Sequence, residues 1–287
     1  MKVTRWGCMA PDIPMNVGRM DRCAMTRQQP SAPPPRFDKD VQGWRDWQLS
    51  PWGRLRYRLV AQLLERHLGA LESGGTVLDV GGADGADSVP LARRGLDVVV
   101  IDPSSLLLAP AASEPGVRTA LLSLEDLASA WPGLVPGGAD VVLCHNVVQY
   151  CDDLDSAVAA AVAPLKSGGL VSLISTNPVN HVLRVAVRDL DPEGALALLS
   201  AKTMRTTTFD HDVRRIDVES ATRALAAAGC EEVARYGVLC VNHLITDDER
   251  KHDPHFAEAL ERLELELADR DPYRDIAAMW MLVARRR

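Results

Sequence analysis

Residues 77–85 constrain the fold of this chain more than any other segment. They spell Val-Leu-Asp-Val-Gly-Gly-Ala-Asp-Gly, and an apolar run over 98–101 that ends at Asp102 follows them. This pattern predicts a nucleotide-binding βαβ unit. It consists of an apolar strand, a tight glycine turn, a helix from the last glycine and a second strand that ends in a carboxylate. In such a unit the glycines let the backbone approach the ligand, and the distal acid accepts hydrogen bonds from a ribose.

The charges around this turn discriminate between nucleotide ligands. The glycines at 81, 82 and 85 do not follow the Gly-x-Gly-x-x-Gly spacing of a dinucleotide site, and Asp79 and Asp84 add negative charge. Such charge repels a phosphate and attracts a cation. S-adenosylmethionine (SAM) has a ribose, no phosphate and two cationic groups, and Asp-x-Gly-x-x-x-Gly resembles the first motif of the class I SAM-dependent methyltransferases. A dinucleotide site, or a turn that binds nothing, remains the alternative here.

Composition and charge narrow the class further. The 287 residues are 47% hydrophobic, enough for an α/β core with a lid, and no apolar run approaches the ~20 residues of a membrane helix. The six cysteines show no CxxC pair or zinc spacing, and no secretory pattern is present. This predicts a reduced, cytoplasmic protein in which no metal is implied.

The charge is distributed unevenly. Residues 1–36 carry six basic and two acidic side chains, a balance of +4, so the net charge of −7 leaves −11 for the remaining 251 residues. This excess of negative charge over residues 37–287 disfavours a polyanionic partner. We expect residues 1–36, which end in a proline run and show no periodicity, to be a disordered tail or to precede the true start of translation.

Strands and helices alternate along the rest of the chain. Strands are predicted over 76–80, 97–101, 117–122, 139–144, 170–175, 231–240 and 276–284, and helices over 51–68, 85–94, 104–112, 154–166, 217–228 and 255–267. An insertion over about 177–214 is predicted to be helical, without a strand, and to form a lid. The fold expected for residues 37–287 is a Rossmann-like, doubly wound, mostly parallel seven-stranded sheet with a helical N-terminal segment.

Several segments between about residues 37 and 285 together resemble the tRNA 5-carboxymethoxyuridine methyltransferase family. They are Phe37-Asp38, Gly53-Arg54-Leu55-Arg56, 78–82, 125–129, His145, Asn177, 263–266 and 270–273. The resemblance implies that Arg56 reaches the methionine carboxylate of SAM and that Asp102 binds the ribose. The other cofactor-binding residues expected are Asp79, Gly81, Gly82, Gly85, Leu124, Glu125 and His145.

Two departures from this family bear on the methyl acceptor. Ala83 stands where the family favours glycine, and the lid carries Ser-Ala-Lys-Thr-Met-Arg-Thr over 200–206 instead of a lysine-rich run. Because phosphate contacts supply most of the affinity for nucleic acids, the sequence favours O-methylation of a small, anionic or hydroxylated metabolite. Carboxyl methylation of a modified wobble uridine in tRNA is the first alternative. A protein that binds SAM without methylating anything is the second.

Methyl transfer from SAM requires chiefly alignment, and only a hydroxyl or amine acceptor needs a general base. His145 and His181 are the predicted catalytic residues. Asn146 and Tyr150 follow the fourth strand and are predicted to bind the acceptor. Arg184 and Arg188 lie one helical turn apart in the lid, so we expect them to share a face and grip a carboxylate.

Overall fold

A computed structural model describes residues 41–69, 71, 73–206 and 211–287. The predicted tail over 1–36, together with Phe37 and Asp38, lies outside the described residues. All described residues belong to one compact unit. Within them, no helix has both the length and the apolar character needed to cross a bilayer.

The core is a seven-stranded sheet. The described chain has nine strands, of which β6 and β7 form a separate two-stranded sheet. They are β1 Thr76–Val80, β2 Asp97–Asp102, β3 Val117–Leu121, β4 Ala139–His145, β5 Leu165–Thr176, β6 Thr203–Thr206, β7 His211–Arg214, β8 Cys230–Val238 and β9 Met279–Arg286. The order in the main sheet is β3-β2-β1-β4-β5-β9-β8. The first five strands pair in parallel, and β9 runs antiparallel to both β5 and β8. The carboxyl ends of β1–β5 and of β8 therefore meet at one side, which we call the carboxyl edge. This confirms the predicted fold class.

Helices cover both faces of the sheet. They are α1 Val41–Leu49, α2 Pro51–Leu68, α3 Val89–Arg93, α4 Ser105–Ala112, α5 Leu124–Leu134, α6 Leu154–Val162, α7 Pro178–Val187, α8 Pro192–Leu198, α9 Val218–Ala227 and α10 Pro254–Leu267. Helices α2, α3, α4 and α10 pack on one face, and α5, α6 and α9 on the other. Side chains of β1 alternate accordingly, with Val77 in the first cluster and Leu78 and Val80 in the second.

The helix predicted over 85–94 is much shorter than expected, since α3 begins only at Val89. Residues 81–88 instead form a wide turn, in which the Gly85 amide donates to the carbonyl of Gly82 at 2.8 Å. Gly85 has a φ of 75°, outside the helical region. The prediction was wrong because the glycines allow a turn where the apolar spacing suggested a helix.

The helix that precedes β5 was also predicted too long. It ends at Val162. Ala163 still has helical backbone angles, but Pro164 has no amide hydrogen to continue the helical hydrogen bonds, and its ring would clash with the preceding turn. Strand β5 begins at Leu165 and continues through Gly168 and Gly169, which were expected to terminate the helix.

The insertion over 177–214 is not purely helical. Helices α7 and α8 are followed by β6 and β7, which pair antiparallel as a hairpin. The prediction of a lid without a strand was therefore wrong. Thr203 and Val213 are β-branched, and in so short a segment that preference outweighs helical periodicity.

Candidate active site

The glycine turn presents bare backbone at the carboxyl edge. Gly81 has a φ of 64°, and a Cβ there would lie 2.4 Å from the side chain of Val147. A Cβ on Gly82 would lie 2.4 Å from the carboxyl group of Asp79. Neither position has room for a side chain, so the turn forms the kind of cradle that a nucleoside ligand requires.

Asp102, at the end of β2, lies beside this turn. Its carboxylate accepts hydrogen bonds from the amides of Ala83 at 3.2 Å and of Ser104 at 2.8 Å. The side chain is buried. These two bonds hold the carboxylate in one orientation at the position predicted for ribose binding.

Asp79 lies beneath the turn and is 2% exposed. Ser88 Oγ donates to its Oδ2 at 2.6 Å. Burial outweighs this hydrogen bond and raises the pKa of Asp79 to about 7. The carboxyl group is therefore poised to gain a negative charge when a cation comes near it.

Ala83 adopts a φ of 49°, in the left-handed region. Glycine occupies this region without strain, whereas an alanine pays about 1–2 kcal/mol. The departure from the family pattern thus falls at a position whose backbone suits glycine, and the turn keeps its shape in spite of it.

A chain of four buried side chains crosses from α2 to β5 beneath the site. Arg56 Nη1 donates to both oxygens of Asp87 at 2.6 and 2.7 Å, Asp87 Oδ2 lies 2.7 Å from His145 Nδ1, and His145 Nε2 lies 2.8 Å from Ser172 Oγ. Burial alone would raise the pKa of Asp87, but the charge of Arg56 and the hydrogen bonds hold it well below its usual range. Sequence reasoning missed Asp87 and Ser172.

This arrangement fixes the state of His145. Burial lowers its pKa in spite of Asp87, so the ring is neutral. Since Asp87 only accepts, Nδ1 carries the proton and Nε2 accepts from the Ser172 hydroxyl. Both nitrogens are engaged, and the predicted role of His145 as a general base has no support in this geometry.

The N-terminal helices contact the turn directly. Gln48 Nε2 donates to the Asp84 carboxylate at 3.1 Å and to Tyr57 Oη at 2.9 Å. The guanidinium carbon of Arg56 lies 4.5 Å from the centroid of the Tyr57 ring. No local pattern marks Gln48 or Tyr57, because the hydrogen-bond partners of Gln48 lie 9 and 36 residues away along the chain.

The other predicted pocket residues lie at the carboxyl edge with varied exposure. Leu124 is buried in the core at the start of α5, and Glu125 beside it is exposed. Asn146 follows β4 with a φ of 58°, and its buried Oδ1 has no hydrogen-bond partner within the part of the chain that the structure describes. Tyr150 is half-buried in the one-turn helix Val148–Tyr150.

The lid arginines do not form the predicted grip. Arg184 lies 2.9 Å from the carboxylate of Asp189. Arg188 caps the end of α7 and contacts Asp248 and the carbonyl of Ile245. Acidic side chains thus bind both guanidinium groups separately, and the expectation of a shared carboxylate-binding face is corrected.

His181, in contrast, has an unpaired ring nitrogen. Its Nδ1 is buried and has no hydrogen-bond partner within the described part of the chain. Burial, followed by the charges of Arg184 and Arg215, lowers its pKa. The imidazole is therefore neutral near pH 7 and able to accept a proton.

A buried carboxylate organises the segment after β8. Glu264 of α10 is 1% exposed and accepts from the amides of Cys240, of Val241 at 3.0 Å and of Asn242 at 2.7 Å. Lys251 Nζ donates to the carbonyl of Asn242 at 2.9 Å. These contacts fix the loop that follows β8, at the β8 end of the carboxyl edge.

The buried side-chain atoms that lack a partner are not scattered through the molecule. Among the described residues they belong to Arg56, Asn146, His181, Arg215 and Asn242. Each of these residues lies at the carboxyl edge or contacts a segment that does. Buried polar groups in folded proteins are nearly always paired with protein groups or ordered water, so these atoms are candidates for contacts with a ligand or with water.

Comparisons with known proteins agree with this geometry. A family model described as a methyltransferase domain matches residues 52–235, well over half of the chain. The tRNA 5-carboxymethoxyuridine methyltransferase of Escherichia coli K12 is 25% identical over 225 residues, which cover 77% of this chain and 84% of that protein. The ubiquinone biosynthesis O-methyltransferase of Acinetobacter baylyi is 29% identical over 165 residues, covering 53% of this chain and 66% of the relative.

A solved structure shares the fold. The Thermotoga maritima protein described as a SAM-dependent methyltransferase, possible histamine N-methyltransferase, superposes with a TM-score of 0.59 at 18% identity. The match covers 88% of this chain and 99% of that one.

Proposed function

The chain belongs to the methyltransferase domain family and is a class I SAM-dependent methyltransferase, and from this premise we propose that it methylates a small, anionic or hydroxylated metabolite on oxygen. The observation that supports a small acceptor is that two arginines of the lid already form ion pairs with acidic side chains. Arg184 lies against Asp189 and Arg188 against Asp248. Paired arginines are poorly placed to neutralise the phosphates of a nucleic acid.

SAM, the cofactor of this enzyme, supplies a methyl group that its sulfonium charge already activates, so the protein contributes binding and alignment. We assign the ribose hydroxyls to Asp102 and the close backbone approach to Gly81, Gly82 and Gly85. Arg56, whose buried Nε has no partner in the described chain, is assigned to the methionine carboxylate. Asp79 balances positive charge from below the turn. Leu124, through its backbone, and Glu125 are assigned to the adenine.

The acceptor is proposed to bind over the ends of β4 and β5. His181 serves as the general base for a hydroxyl acceptor, since its unpaired Nδ1 is neutral near pH 7. Asn146 Oδ1 is available to accept a hydrogen bond from the same hydroxyl, and Tyr150 borders this region. His145 is assigned a positioning role through Asp87.

The E. coli relative supports a second candidate, because its name describes a tRNA wobble-nucleoside methyltransferase and it covers 77% of this chain. The name of the ubiquinone relative describes an O-methyltransferase and fits the first candidate. A cytoplasmic location is part of the proposal in either case.

The test is a screen with SAM labelled in its methyl group. The enzyme is incubated separately with a small-metabolite extract and with total tRNA, and S-adenosylhomocysteine (SAH) and labelled products are quantified. We expect label in a small product that resists ribonuclease. Label found only in the tRNA fraction would reject the small acceptor in favour of the second candidate.

A further inference from the structure

Arg215 is a cation without a counter-charge in the described chain. Among the described residues its buried Nη1 has no hydrogen-bond partner, and Nη2 donates to the carbonyl of Pro178 at 3.2 Å. Burial lowers the pKa of Arg215, and no acidic side chain offsets that effect. The lid arginines Arg184 and Arg188 both have a carboxylate partner, so Arg215 differs from them in kind.

His181 lies close enough to Arg215 for the two side chains to interact electrostatically. His181, in the first turns of α7, has a pKa lowered by burial and by the charges of Arg184 and Arg215. An unpaired guanidinium group beside a neutral imidazole leaves a local potential that favours an anion. The side chain as a whole is partly exposed, so a ligand can reach the guanidinium group, whose buried Nη1 has no partner among the described residues.

The position of Arg215 is set by one contact of its side chain, one of its backbone amide and one of its neighbour Ile216. Pro178, which it contacts, begins α7 two residues after β5 ends. Its own amide donates to the carbonyl of Lys202 at 3.1 Å, and the next carbonyl, of Ile216, accepts from Trp280 Nε1 at 2.9 Å. Strand β5 lies two strands from β1 in the sheet. About 10 Å therefore separates the end of β5, which Pro178 follows, from the end of β1, where the glycine turn begins.

We propose that Arg215 is the binding site for a carboxylate of the methyl acceptor, which carries this group beside the oxygen that is methylated. The inference rests on the proposed function, because it takes the acceptor to lie over β4 and β5. A planar carboxylate matches the fork of a guanidinium group, and the ligand supplies the missing partner of Nη1. The acceptor is accordingly a carboxylic acid rather than an amine or a neutral alcohol.

The test compares Arg215→Gln with the adjacent control Arg214→Gln. Arg214 is exposed and contacts the carbonyl of Asp152 instead of the site. Each variant is saturated with SAH and titrated with sodium benzoate, with benzamide as the neutral analogue and sodium chloride as the salt control. Thermal unfolding and calorimetry report binding.

Benzoate, but not benzamide, is expected to bind the wild type and Arg214→Gln, and Arg215→Gln is expected to weaken benzoate binding at least roughly tenfold. SAH affinity stays within about twofold, and without benzoate Arg215→Gln melts close to the wild-type temperature, because Arg215 has no acidic partner among the described residues whose loss would destabilise the fold. If Arg215→Gln does not fold, Arg215→Lys replaces it, with weaker benzoate binding expected since the planar fork is lost.

Benzoate binding that is absent in the wild type, or unchanged in the Arg215 variants, overturns the inference. A lower melting temperature together with weaker SAH binding also overturns it, because it indicates a structural role for Arg215. Failure of the proposed function has a different signature: no small product is labelled in the methyl-transfer screen while benzoate still binds through Arg215.

Discussion

Oδ2 of Asp87 lies 2.7 Å from Nδ1 of His145, and the two side chains are 10% and 4% exposed. The same carboxylate holds the buried guanidinium group of Arg56 from the other side. One acidic side chain thus joins helix α2 to the end of β4 beneath the cofactor site, and it fixes both the charge of Arg56 and the tautomer of His145.

Asp87→Asn is expected to lower the free energy of unfolding by about 3–5 kcal/mol, because it leaves the buried charge of Arg56 uncompensated. Urea unfolding measures this loss. The control is Asp97→Asn, which breaks an exposed pair with Arg118 and is expected to cost less than about 1 kcal/mol. Equal effects of the two changes would show that the buried pair contributes no more than a surface one.

Asp102→Ala is expected to reduce SAH affinity by about 1–3 kcal/mol, since charge-assisted hydrogen bonds to the ribose are lost. Isothermal calorimetry gives the value. Asp97→Asn again serves as the control, because Asp97 begins the strand that Asp102 ends. Unchanged SAH affinity in Asp102→Ala would reject the ribose assignment.

The affinity for SAM is expected to fall as the pH is lowered from 7.5 to 5.5. Because burial raises the pKa of Asp79 to about 7, protons compete below that pH with the cationic ligand for the ionised carboxylate. The expected decrease is roughly tenfold over this range. Asp79→Asn, which cannot ionise, should bind SAM with little dependence on pH. A wild-type affinity that is independent of pH would show that Asp79 does not sense the cofactor.

Ala83→Gly is expected to be tolerated, whereas Gly82→Ala is expected to be damaging. The first relieves a left-handed alanine and should leave SAH affinity intact and stability within about 1 kcal/mol of the wild type. The second forces a Cβ to within 2.4 Å of the Asp79 carboxyl group and should weaken SAH binding and stability together. Calorimetry of both variants measures the SAH affinity, and thermal unfolding measures the stability. A tolerated Gly82→Ala would contradict the close packing of the turn.

The sequence predicts the sheet well because hydrophobic periodicity is local, and each strand of 76–80 or 117–121 carries its own pattern. It does not reveal the chain Arg56–Asp87–His145–Ser172, whose successive members are 31, 58 and 27 residues apart. That Asp102 lies beside the glycine turn could be predicted, because one sequence motif contains them both. The pairing of Arg184 and Arg188 depends on Asp189 and Asp248, and only the tertiary structure brings Asp248 to the lid.

The acceptor class is tested most directly by the rate of SAH formation with purified total tRNA at increasing salt. If the acceptor is a small metabolite, we expect no tRNA-dependent SAH formation at any salt concentration. The small-metabolite fraction is expected to support turnover that varies little with salt. Contacts with several phosphates would make tRNA affinity fall steeply, by roughly 10³-fold or more between about 50 and 200 mM salt. Robust tRNA-dependent SAH formation with that steep decline would contradict the account and establish the nucleic acid as the substrate.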